Sequence, residues 1–294
     1  MQVAPNIEVA GLTRTSSQAT FDRTRRMTNS VMTALTAACA FFAVGILILI
    51  LGYIAVRGLS SLSLEFLVST PKPVGEGGGI ANAITGTLLL LALSSVIGLP
   101  LGIACGVFLA EFGTNRFGSV VRFIADTLTG VPSIIVGVFV YALLVRPMGG
   151  HSALAGGVAL ALIMIPIVAR TTEEMIRLVP VSMREGALAL GAPQWRVTLG
   201  VVLPAAMSGI ATGAMLAVAR ISGETAPLLF TAFNSRFFNF YVDEPVASLT
   251  VQIYNYAISP SQEQNAQAWA ATLILMTLIL FINILVRFFT RTRT

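Results

Sequence analysis

Charge is what this sequence has least of. Only 11% of its 294 residues are Asp, Glu, Lys or Arg, 55% are hydrophobic, and the mean hydropathy is +0.85. A soluble domain carries about 25% charged residues, so this inventory cannot build a water-facing surface; the solvent it suits is lipid. Lys72 is the only lysine, in Thr70-Pro71-Lys72-Pro73, which excludes the Gly-Lys-Ser/Thr corner of a phosphate-binding loop and ATP hydrolysis of that kind. His151 is the only histidine, so neither a histidine metal cluster nor a Ser-His pair can be assembled. The two cysteines, Cys39 and Cys105, both fall inside apolar runs and read as small packing residues. The chain is expected to be no enzyme, to hold no metal or cofactor, and to have no nucleic-acid partner.

What is present in quantity is long apolar runs. About 20 apolar residues cross a bilayer as a helix that satisfies its own backbone. Uncharged runs of that size occur at Val31–Val56, Ala81–Ala110, Thr127–Val145, Pro147–Ala169, Val197–Ala219 and Gln264–Val286. The expected fold is therefore all-α, a polytopic membrane protein with six transmembrane helices. The second run is long enough to tilt or to break at Pro100, and the fifth is expected to continue through Arg220 to about Phe230. The first run is too long, and begins too far from the start, to suit a cleaved signal peptide.

Basic residues set the orientation. With both termini in the cytoplasm, the outer side receives only Arg57, Lys72, Arg146 and Arg236, and every other basic residue except Arg220 falls inside. Residues 1–30 form a polar, basic segment, read as a cytoplasmic tail near anionic lipid head groups. Residues 31–290 form the six-span domain, and Gly75–Gly79 reads as a flexible outer loop.

The loop at about 180–204, between the fourth and fifth runs, carries the first specific signal. Ser182 and Glu185 have capping-box spacing, Gly191 suits the left-handed residue that ends a helix, and Pro193 suits the first turn of the next. Two short helices joined at a glycine, standing off the membrane, can insert into a groove on a partner. Glu185-Gly186-Ala187, Gly191, Val201 and Leu203-Pro204 also resemble the EAA loop of ABC importer permeases, with Gly186 in place of an alanine and Val201 of an isoleucine. The resemblance implies a coupling helix that receives motion from an ATPase, carried on Glu185, Ala187, Gly191, Leu203 and Pro204.

Arg220 and Glu224 are the charges expected inside a span, where charges are costly and face a partner or a polar cavity. At i, i+4 on one helix they would share a face. Two readings fit. One is a structural ion pair, or a pair at the bilayer surface where snorkelling makes charges cheap. The other is an anion site in which the arginine grips oxyanion oxygens and Glu224 accepts a hydrogen bond from phosphate, which unlike sulfate retains a proton near neutral pH. In the third run, Pro132 is expected to kink the helix, with Ser133 offering a compensating hydroxyl and Gly130 and Gly137 allowing close approach. Gly98/Gly102 and Gly209/Gly213 fit small-residue helix packing. Asp126 reads as a capping or interfacial acid.

Arg220-Ile221-Ser222-Gly223-Glu224-Thr225-Ala226-Pro227-Leu228-Leu229 resembles the R-x-x-G-E-T-A-P-L-L segment of PstA-type phosphate permeases, and Gly130–Gly137 resembles a segment shared by phosphate permeases. The resemblance covers most of Ala81–Val286 and implies the type I ABC importer permease fold in a bacterial or archaeal plasma (inner) membrane. It implies a substrate pathway through Arg220, Glu224, Thr225, Pro132 and Ser133. It also implies a homologous second permease, two ATP-binding subunits that carry ATP and Mg, and an extracytoplasmic phosphate-binding protein. The alternatives are the same machine for sulfate, molybdate or phosphonate, or an anion carrier that needs no ATPase; the coupling loop argues against the latter.

Overall fold

The computed structural model describes residues 16–291, and the chain divides into two compact units, residues 1–53 and 54–294. Helix α1 (Ser16–Leu59) runs from the first unit into the second. It passes residue 30 without a break, so the second half of the expected tail is helical; residues 1–15 lie outside the described residues. Its apolar stretch has no buried residue within the chain, as suits a helix whose packing partner is lipid.

The second unit is built around two parallel helices, α3 (Ala81–Glu111) and α7 (Ala153–Arg177). Gly98, Gly102 and Gly106 recur every four residues along α3 and face Met164, Val168 and Ala169–Thr172; a Cβ on Gly106 would lie 2.5 Å from the Ala169 carbonyl oxygen. The backbones meet where no side chain intervenes, which is how helices gain contact when lipid competes equally for their apolar faces. Gly209 and Gly213 pack in the same way on Met175 and Thr171. The main core joins Leu90, Leu160, Met164 and Val168 to Ala217, Ile221 and Leu228. Despite Pro100, α3 stays unbroken.

The third run does not cross as one rod. Helix α4 (Arg116–Gly130) ends, and α5 (Ser133–Val140) restarts after a bend of 104°. Pro132 has no N–H to give and forces Val131 out of the helical region, to φ −69°, ψ 129°. A π-turn (Tyr141–Val145) and α6 (Arg146–Met148) prolong α5 until Gly149, at φ +79°, stops it. The fourth span consequently starts later than the apolar run, at Ala153, where the Ser152 hydroxyl accepts from the Ala155 N–H. Among the described residues, five helices are long and apolar enough to span, and the bent pair makes six if it crosses as one.

The fifth run also departs from expectation. After α8 (Val181–Ala189), α9 (Gln194–Val197) passes through a π-turn (Thr198–Val202) into α10 (Leu203–Ser222). The helix stops there instead of continuing to Phe230. Gly223 caps it, and the short α11 (Ala226–Thr231) restarts with Pro227 in its first turn, where a missing N–H costs nothing. Helix α12 (Leu249–Ala257), too short to span, precedes the last span in α13 (Gln262–Arg291).

The two ends of this unit differ. At one, α2 (Leu64–Val68) lies against the start of α3, and the starts of α3 and α7 meet the loop after α11: Ser152 N–H donates to the Thr231 carbonyl (3.0 Å), Ala153 N–H to the Glu244 carbonyl (2.9 Å), and Asn82 Nδ2 to the Ser235 carbonyl (2.6 Å). The glycine loop at this end is a held turn, not a loose one. Gly75 donates to the Glu263 carboxylate at 2.8 Å, and Gly75, Gly77 and Gly78 take the positive φ that bends it. At the other end, the C-termini of α3 and α7 meet α4 and α8.

Candidate functional site

Arg220 lies in the last turn of α10, its side chain exposed to a cavity of about 290 Å³. The cavity is lined by Leu128, Thr129, Val131 and Ser133 around the α4–α5 bend, by Phe139, and by Leu162, Ile163 and Ile167 of α7. A guanidinium thus stands at the edge of a mostly apolar space, with the Thr129 and Ser133 side chains as its polar company. The Thr129 hydroxyl already donates to Ala125. Among the described residues Arg220 forms no ion pair.

The expected Arg220–Glu224 pair on one helical face is not formed. The helix ends at Ser222, so Glu224 occupies the turn between α10 and α11, half-buried. Its backbone N–H reaches the Ile221 carbonyl (3.1 Å), and its own carbonyl accepts from the Thr250 hydroxyl (3.0 Å). Thr225 caps α11, and Pro132 sits at the bend; neither is among the residues lining the cavity. The structure does bring the two resembling segments together. Gly137 of α5 packs directly on Pro227 of α11, where a Cβ would lie 2.6 Å from the Pro227 Cα. Gly130, by contrast, has nothing within 4 Å of its Cβ position and supports no close approach.

The second set lies in α8 and its neighbours. Gly191 adopts φ +80° and is exposed with open space around it, as the sequence requires. The Ser182–Glu185 capping box is absent: α8 starts two residues earlier, with Pro180 at the cap and no side-chain bond there. The rigid φ of Pro180 starts the turn without a hydroxyl. Pro193 stands at the cap of α9, one position before the first turn. Glu185 is exposed, while Ala187 and Leu203 pack half-buried against Ile176, Val197, Val202 and Ile210. Pro204, exposed, lies in the first turn of α10.

Sequence reasoning missed the most heavily charged part of the chain. The Glu173 side chain is 2% exposed and pairs with Arg122 (2.6 Å), Arg170 (2.7 Å) and Arg177 (2.6 Å). Asp126, inside α4 and not at its end, pairs with Arg170 at 2.9 Å. Arg184 of α8 pairs with Glu111, the last residue of α3. The i, i+3 and i, i+4 spacing of Arg170, Glu173 and Arg177 was readable; the partners from α3 and α4 were not.

A model of the binding-protein-dependent transport system inner membrane components matches residues 98–294. The chain belongs to this family. Within it, the chain is 46% identical over 265 residues to the phosphate transport system permease protein PstA of Yersinia pestis, covering 90% of each. It is 44% identical over 267 residues to the PstA of Pasteurella multocida strain Pm70, covering 90% of this chain and 95% of that one. Among solved structures, the fold resembles that of a bacterial ABC transporter for the acidic polysaccharide alginate, with a TM-score of 0.61 at 15% identity over 91% and 99% of the two chains. It also resembles the inward-facing MetNI methionine ABC transporter, with a TM-score of 0.57 at 20% identity over 74% and 94%. These likenesses establish the type I importer permease fold on a multi-pass membrane chain.

Proposed function

We propose that this chain is the transmembrane subunit of an ATP-driven importer of inorganic phosphate, and that Arg220 is its contact with the anion. The observation that supports this reading best is the unpaired guanidinium at a cavity between two helix breaks, in a chain whose relatives are phosphate permeases. Placing one cation in an apolar cleft costs free energy unless an anion completes it, and a planar fork suits tetrahedral oxyanion oxygens. The cavity has few polar groups of its own, Thr129, Ser133 and Arg220, which fits a path completed by a homologous second permease. Glu224, just past the helix end, is a tuning charge that disfavours a fully deprotonated oxyanion. Ser133 and Thr225 are further contacts along the path, and Pro132 shapes it.

On this reading α8 is the coupling helix, with Glu185, Ala187 and Gly191 at the docking surface and Leu203-Pro204 beginning the span that answers it. Two ATP-binding subunits hold ATP and Mg and perform the hydrolysis; an extracytoplasmic phosphate-binding protein delivers the anion. Both termini lie in the cytoplasm of a bacterial or archaeal plasma membrane, so that α8 faces the ATPase. The test is ATP hydrolysis by the co-expressed complex in vesicles with the binding protein present. Phosphate should stimulate it, while sulfate and molybdate should not; stimulation by sulfate alone overturns the substrate assignment.

A further inference from the structure

Helix α8 is only loosely embedded in its unit. None of its nine residues is buried, and a Cβ on Gly186 would touch nothing. Its neighbours are α9 and the π-turn that opens the fifth span, and its apolar anchorage is Ala187. A helix held so loosely by packing transmits force through whatever stiff contacts remain. The stiff contact is Arg184. Its guanidinium pairs with Glu111 and donates to the Ile176 carbonyl at 2.7 Å, so one side chain ties α8 to the C-terminal ends of both central helices. The Glu111 side chain is 7% exposed and that of Arg184 23%, so water screens the pair weakly. The other Glu111 oxygen lies 3.4 Å from the hydroxyl of Thr198, the buried first residue of the π-turn.

We infer that the Arg184–Glu111 pair is the transmission joint between the coupling loop and the spanning helices. The inference rests on the reading of α8 as the ATPase docking helix. The chain of parts is continuous: α8, Arg184, Glu111, Thr198, then α10, a rigid rod whose far end carries Arg220. The π-turn at the base of α10 is a winding irregularity of the kind found frequently at functional positions of helices. Glu111 and Arg184 are positioning residues: neither lines the cavity.

The experiment uses the full complex in vesicles, with Glu111→Gln and Arg184→Gln. ATPase retained on the purified chain, ATP hydrolysis, and radiolabelled phosphate taken up per ATP hydrolysed are measured. The expected result is retained ATPase and near-normal hydrolysis, but uptake per ATP lower by roughly tenfold, within the 5–150-fold range common for coupling between sites. Arg184→Lys, which keeps the charge but loses the fork to Ile176, should fall between wild type and Arg184→Gln. It guards against a charge-neutral variant that fails to fold. Unchanged uptake per ATP in both neutral variants overturns the joint. Loss of the bound ATPase from both overturns it too, since the pair then merely shapes the docking surface. Glu185→Arg is the separate control for docking: full ATPase retention there refutes α8 as the docking helix itself, and the joint with it.

Discussion

The arginines around Glu173 and the arginine at the cavity belong to one chain but follow opposite rules. Arg122, Arg170 and Arg177 converge on one buried carboxylate, and Arg170 has Asp126 as a second partner. Arg220 has no such partner. Around Glu173 each guanidinium has a carboxylate partner from within the chain. At the cavity, where substrate contact is proposed, the guanidinium is left for something else to complete. The same contrast runs through the glycines: those between α3 and α7 have no room for a methyl group, while Gly130 at the bend and Gly186 and Gly191 in and after α8 stand in open space.

The sharpest way to test the closed region is to remove its centre. Glu173→Ala leaves three arginines facing one another around a buried gap. Breaking a buried ion pair typically costs about 3–5 kcal/mol, so the variant should yield little folded complex, with a clearly lower melting temperature in detergent. Glu173→Gln, which keeps hydrogen bonds to the arginines, should lose less. A wild-type melting curve for Glu173→Ala would contradict the role given to the cluster.

The open region should respond in the opposite manner. Arg220→Gln should assemble and melt normally, yet reduce phosphate uptake roughly 100-fold, about 2.7 kcal/mol. Because Glu224 lies beyond the end of α10, exchanging the two charges in one chain should restore nothing. Recovery of uptake by that double exchange would mean that the two residues act as a pair after all.

Much of this division could be read before the fold was known, and the reasons for the rest are physical. Apolar runs locate spans because lipid removes every alternative way to satisfy a backbone. They do not show that Pro132 turns a span through 104°, because a proline inside Pro100's helix leaves that helix unbroken. The left-handed turn at Gly191 is local and was legible; the absent capping box shows that Pro180 can start a helix just as well as a hydroxyl can. Arg220 stood out because a charge amid apolar residues is conspicuous. Glu173 and Glu111 lie at the ends of apolar runs, where acids are ordinary, and their partners are as far as 51 and 73 residues away. No periodicity reports a contact of that kind.

Two glycines sharpen the comparison at smaller cost. Gly106→Val places its Cβ 2.5 Å from a backbone oxygen of α7 that has no rotamer to change. Overpacking of this sort costs typically about 1–3 kcal/mol, and it should show as reduced thermal stability with transport lost in proportion to the folded complex. Gly130→Ala, in open space at the end of α4, should leave both unchanged or slightly improved. Equal damage from the two substitutions would show that the gap at Gly130 closes in the assembled transporter.

Substitution at Gly191 separates backbone strain from packing. Nothing lies within 4 Å of a Cβ there, so any side chain fits; only φ +80° resists it. Left-handed backbone costs an ordinary L-residue about 1–2 kcal/mol, and a β-branched residue suffers most, whereas asparagine tolerates this region through local hydrogen bonding. Gly191→Val should therefore lower ATPase retention and coupled uptake by misdirecting α9, out of proportion to the modest fall in melting temperature that one strained residue causes. Gly191→Asn should keep both activities. The order Gly, Asn, Ala, Val in ATPase retention is the signature of a conformational requirement. If Asn fails as badly as Val, the glycine is needed because the ATPase packs against its bare Cα, and the open space around it is the partner's seat.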